Sequence, residues 1–81
     1  MKLERAISIA AAAHSGQTDK AGEPYILHPV RVMLAAEGDD ARVVAVLHDV
    51  IEDSDWSIER LVDEGLTNDQ AAALDSVTRR E

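Results

Sequence analysis

The sequence predicts an all-α fold, and three observations carry that expectation. No segment alternates apolar and polar residues for more than a few positions, so nothing reads as a strand. Apolar residues instead recur at helical spacing, with helix-starting and helix-stopping residues between the periodic stretches. The apolar content is also aliphatic. Phenylalanine is absent, and Trp56 and Tyr25 are the only aromatic residues, a composition that suits closely packed helices.

Leu3, Ile7, Ala10, Ala11 and His14 share one face of a helix over residues 2–15, stopped by Gly16. His14, on that stripe, reads as a hydrogen-bonded core histidine. Residues 17–24 (QTDKAGEP) hold two breakers and no apolar period, and so predict the one long loop, a kind of connection that often carries function. Pro29 fits the first turn of a second helix, where its missing N–H is not needed. Val30, Met33 and Leu34 supply the expected buried stripe, and Gly38 the C-terminal cap. His28 then sits at the helix entrance.

Asp39 and Asp40 offer an N-cap for a third helix through about Glu52. This helix is apolar nearly all round, which implies burial on several sides. Ser57 caps a short helix over 58–64 that Gly65 ends, with Trp56 as its apolar anchor. Thr67-Asn68-Asp69-Gln70 matches the capping-box pattern and opens a fifth helix to about Arg79. Asp69 reads as a first-turn charge and Asp75 as part of a solvated face. Arg79 and Arg80 complement a helix C-terminus. The expectation is a single domain over residues 1–81 with four or five helices, and no repeat or linker.

The formal net charge of −8 opposes binding to nucleic acid or to an anionic membrane surface, both of which need a basic footprint. The absence of cysteine excludes disulfides and thiolate–zinc sites, and fits a reducing compartment. Met1-Lys2-Leu3-Glu4-Arg5 includes an acid and leads into a short alanine-rich stretch, unlike a signal peptide. No apolar run approaches the ~18 residues of a membrane span. A soluble, cytoplasmic protein is the expectation.

Four ionisable residues crowd into His48-Asp49-Val50-Ile51-Glu52-Asp53 (HDVIED), directly after an apolar run. On a helix, His48 and Glu52 share one face, and Asp49 and Asp53 form the same pair one residue along. Such a cluster is a metal site, an acid–base site or simply a polar helix end. Three acids at a last turn oppose the helix dipole, so something should compensate them. Packing the second helix against the third would bring His28 beside His48 and Asp49. Two imidazoles and a carboxylate suit Mn²⁺, Fe²⁺, Zn²⁺ or Co²⁺. Glu52 and Asp53, one turn later, would then orient or deprotonate an attacking water. Lys20, in the loop, reads as a solvated lysine or a phosphate contact.

Three stretches together resemble a known family: Ala13-His14-Ser15-Gly16-Gln17, then Lys20-Ala21-Gly22-Glu23-Pro24-Tyr25-Ile26-Leu27-His28-Pro29, then Leu47 with HDVIED. They are similar to the HD-domain hydrolases of the RelA/SpoT type, the guanosine tetra- and pentaphosphate (alarmone) 3′-pyrophosphohydrolases and their small single-domain relatives. Val77-Thr78-Arg79-Arg80-Glu81 resembles the segment that follows in the small members. The resemblance implies an HD-domain-like helical bundle. It implies His28, His48 and Asp49 as metal ligands, usually for Mn²⁺, and Glu52 and Asp53 as the pair that handles the attacking water. Lys20 matches a basic residue near the nucleotide. The implied reaction is attack of water at the 3′-diphosphate with release of pyrophosphate.

Two departures qualify the resemblance. Asp19 stands where the alarmone enzymes usually carry an arginine that helps hold the guanine base, which opens the way to a different phosphorylated substrate. The family also continues through helices that supply a fourth metal ligand, an aspartate, with which neither Asp69 nor Asp75 aligns. The chain thus resembles the N-terminal part of an HD domain. The alternative to an active hydrolase is a shortened, non-catalytic module that binds metal or nucleotide, or self-associates through exposed helix faces.

Overall fold

Five α-helices follow one another along the chain: α1 (Leu3–Ala13), α2 (Leu27–Ala35), α3 (Asp39–Asp53), α4 (Ile58–Asp63) and α5 (Asn68–Val77). The computed structural model describes residues 1–78, so the roles expected of Arg79 and Arg80 lie outside the described residues. Among the described residues there is no strand, only an isolated bridge between Thr18 and Pro24 across the α1–α2 loop. None of these helices is long and apolar enough to cross a membrane.

The central element is α3. Its apolar surface faces several ways, and it packs against α1, α2 and α5. Val43, Val46, Leu47 and Val50 are fully buried along it. Around them lie Ala6, Ile9 and Ala10 of α1, Met33 of α2, Leu61 of α4 and Leu74 of α5. The short side chains of Ala6 and Ala10 let α1 lie close against α3, since side-chain size at a contact sets the distance between helix axes.

Two helix starts form as their sequences dictate. The Ser57 hydroxyl accepts a hydrogen bond from the Arg60 N–H at 3.2 Å. At α5 the capping box is complete: the Gln70 N–H donates to the Thr67 hydroxyl at 3.1 Å, and the Thr67 N–H donates to Gln70 Oε1 at 3.0 Å. Trp56 packs against the core, with the Arg60 guanidinium 4.3 Å above its ring.

Other expectations need correction. Gly38 does not close α2; Ala36 does, while Gly38, at φ +89°, is the residue before α3. Asp39 and Asp40 are therefore first-turn residues of α3 rather than caps, where their charge favours the positive end of the helix dipole. Leu34 is not buried but 71% exposed, and Pro29 fills the core side of α2 instead. The α2 face against α3 is narrow, and Leu34 lies about 100° round from Met33, on the outer side. On α1, Ala11 is exposed, whereas Ala6 and Ile9 are buried. The backbone of Thr78 is extended, so α5 stops at Val77 and does not continue towards Arg79.

Candidate metal centre

The α2–α3 packing sets His28, in the first turn of α2, against the polar end of α3. One nitrogen each from His28 and His48 and one oxygen from Asp49 lie within 4.8 Å of one another. His48 Nε2 is 3.1 Å from Asp49 Oδ1, and His28 Nε2 is 3.4 Å from Asp49 Oδ2. The side chains are 13% (Asp49), 24% (His48) and 54% (His28) exposed, so the carboxylate forms the floor and His28 the mouth.

Hydrogen bonding fixes the His48 ring. Its Nδ1 is 2.7 Å from the Ala45 carbonyl oxygen, which can only accept, so the proton sits on Nδ1. The same arrangement orients metal-ligating histidines in general. It leaves the Nε2 lone pair facing Asp49. Two acceptors 3.1 Å apart require a second proton or a cation between them. The chemistry of the donor set therefore fits a divalent metal.

The α1–α2 loop supplies the surroundings. The Tyr25 hydroxyl donates to Asp49 Oδ2 at 2.7 Å. Burial first, then this bond, then the negative charges of Asp49, Asp53 and Glu52 hold the phenol well above the ordinary tyrosine range. Glu52 and Asp53, exposed on the last turn of α3, are thus electrostatic neighbours of that hydroxyl. Gln17 binds the other side of the loop. Its Oε1 accepts from His14 Nδ1 at 2.8 Å, and its Nε2 donates to the carbonyl oxygens of Asp53, at 3.3 Å, and Ala13, at 3.4 Å. The Asp53 carbonyl belongs to the unsatisfied set at the end of α3, so this bond helps compensate the acidic helix end.

Lys20 is exposed in the same loop, and no hydrogen bond or ion pair among the described residues ties it to the histidines. Asp19 folds the loop tip: its Oδ1 accepts the backbone N–H groups of Ala21 at 2.9 Å and Glu23 at 3.0 Å. Tyr25 and Gln17 are the residues that the sequence left without a role. The available signal was that Tyr25 is the single tyrosine of the chain, three residues before His28.

On the other side of His48 an apolar groove of about 590 Å³ opens between α3 and α5, lined by Val32, Val44, Ala45, Ala73 and Val77 among others.

The all-helical bundle with its His–His–Asp cluster is consistent with an HD-like architecture. Comparison with known proteins finds several relatives. It is 45% identical to a probable guanosine-3′,5′-bis(diphosphate) 3′-pyrophosphohydrolase of Synechocystis sp., over 86% of this chain and 10% of the relative. It is 42% identical to a guanosine-3′,5′-bis(diphosphate) 3′-pyrophosphohydrolase of Vibrio cholerae, over 95% of this chain and 11% of the relative. A GTP pyrophosphokinase of Streptomyces coelicolor is 44% identical, over 74% of this chain and 8% of its own length. No protein-family model matches the chain. The chain is a relative of the RelA/SpoT-type proteins, and it spans about a tenth of the length of these curated relatives.

Proposed function

We propose that the chain is a metal-dependent phosphohydrolase module acting on a phosphorylated nucleotide of the guanosine tetra- or pentaphosphate class. The observation that carries this reading is the convergence of His28, His48 and Asp49 within 4.8 Å, with the His48 lone pair aimed at a carboxylate. These three residues would hold a divalent cation, and Mn²⁺ is the ion that the family resemblance favours. When bound, such a cation supplies Lewis acidity to a phosphoryl oxygen and positive charge against the substrate's phosphates. That charge also answers how a chain of net charge −8 can accept so anionic a ligand.

The chain's own residues then divide the work. Asp49, His48 and His28 would hold the cation at the polar end of α3, beside which the phosphate end of the nucleotide would dock. Glu52 and Asp53, on the last turn of α3, align the attacking water and take up its proton as it attacks the phosphorus next to the ribose. The bond from that phosphorus to the 3′-oxygen breaks, the 3′-oxygen takes a proton to become the hydroxyl, and pyrophosphate is released. Lys20, from the loop, meets a phosphate. The short acid at Asp19, engaged with the loop backbone, leaves base recognition to other groups. The lack of cysteine fits work in the cytoplasm.

Pyrophosphate release from guanosine tetraphosphate in the presence of Mn²⁺ tests the proposal. Glu52→Ala should lower turnover by roughly 10²–10⁴-fold, the usual contribution of a positioned base. Turnover indifferent to both Mn²⁺ and this substitution would overturn it.

The open groove favours one further reading, a non-catalytic module that binds metal or nucleotide and self-associates through its apolar faces. Leu34, 71% exposed, and Val77, 54% exposed, add to that surface. Mn²⁺ binding without turnover, in a chain that sediments as an oligomer, would support it; a monomer with turnover would exclude it.

A further inference from the structure

We propose that Tyr25 is a positioning residue for the metal site, holding one oxygen of Asp49 so that the other is presented to the cation beside His48. The inference rests on the metal-site reading of His28, His48 and Asp49.

A carboxylate on a helix turns easily about its last torsion, because that rotation is broad and roughly two-fold. Each turn exchanges the two oxygens. The Tyr25 hydroxyl selects between them. It donates to Oδ2 at 2.7 Å, a charge-assisted bond of the strong kind, while Oδ1 is left 3.1 Å from His48 Nε2. A phenolate could not do this, since it has no proton to give. An ordinary tyrosine is protonated at neutral pH, in the state that donates.

The tyrosine ring is itself held on both sides. The His14 ring packs 5.0 Å from it at 53°, and the His28 ring 5.8 Å from it at 47°. His14 is 2% exposed, and its buried Nε2 has no hydrogen-bond partner among the described residues. Its other nitrogen binds Gln17, whose backbone carbonyl accepts the Tyr25 N–H at 2.9 Å. The path from α1 through Gln17 and Tyr25 to Asp49 is therefore continuous. It fixes the ring before any metal arrives.

Groups that orient metal ligands in this way affect metal affinity directly, and their removal typically weakens binding by roughly 10–100-fold. Tyr25→Phe keeps the ring and removes only the hydroxyl. Calorimetric titration of Mn²⁺ into the wild-type chain and Tyr25→Phe, with the electron paramagnetic resonance spectrum of bound Mn²⁺ as a second readout, tests the proposal. The variant should bind Mn²⁺ roughly 10–100-fold more weakly with an altered spectrum, while the helical circular dichroism is retained. Equal affinity and identical spectra would overturn the positioning role and leave the metal site standing. A wild-type chain that binds no Mn²⁺ would overturn the metal-site reading itself. Loss of helical structure in Tyr25→Phe would also overturn the proposal, because the hydroxyl would then be holding the fold.

Discussion

His48 and Asp49 are sequence neighbours whose side chains close on each other at the end of α3, with Nε2 of the histidine 3.1 Å from Oδ1 of the aspartate. Neighbours on a helix point about 100° apart, so this approach requires both side chains to be turned inward. The Ala45 carbonyl turns the imidazole and the Tyr25 hydroxyl turns the carboxylate. His28 closes the third side from α2. The cluster is thus imposed by partners on three different segments.

His48→Ala removes a donor without opening the core, because His48 is only half-buried, at the rim of the groove. Mn²⁺ affinity should fall by more than the roughly 100-fold of an outer group. Stability without metal should change by no more than about 1 kcal/mol. Calorimetry and thermal melting together check this; unfolding of the variant would mark a structural histidine.

Leu47→Ala, one residue earlier, should do the opposite. Leu47 is fully buried at the centre of α3. Truncation should cost about 2–5 kcal/mol, a large share of the roughly 5–15 kcal/mol available to a small domain. Urea unfolding should show a sharply lower midpoint.

Thr67→Ala should break the capping box of α5. The expected loss is about 1 kcal/mol, read as a lower urea midpoint with an unchanged slope.

Alkaline pH should weaken the metal-free fold through Tyr25. In the folded chain this phenol titrates above its ordinary value of 10.0, so the native state keeps a proton that the unfolded state has released. Stability is unaffected well below that value and falls as pH rises beyond it. With a chelator present, unfolding of the wild type should steepen above this point, and Tyr25→Phe should remove that part of the dependence. Identical alkaline profiles for the two proteins would contradict it.

What the sequence made legible was local. Ser57 and the Thr67–Gln70 box act within three residues of themselves, and both form as read. The apolar surround of α3 likewise announces its central position. What stayed hidden depends on partners distant in sequence. Tyr25 meets Asp49 across 24 residues and Gln17 meets Asp53 across 36, and no spacing rule relates them. Leu34 is exposed although it is apolar, because a residue just off a narrow helix face carries no sign in the sequence of which neighbour covers it. Only three residues, 36–38, separate α2 from α3, so whether Gly38 ends one helix or precedes the next depends on the turn between them.

The most direct test of the proposed metal centre is a calorimetric titration of Mn²⁺ at neutral pH into the wild-type chain and His28→Ala. His28 is the most exposed of the three donors and comes from a different helix, so its removal leaves the core intact. The prediction is one ion bound per chain, with binding lost in His28→Ala while the helical circular dichroism is unchanged. Absence of stoichiometric binding by the wild type, or binding that survives the loss of His28, would contradict it.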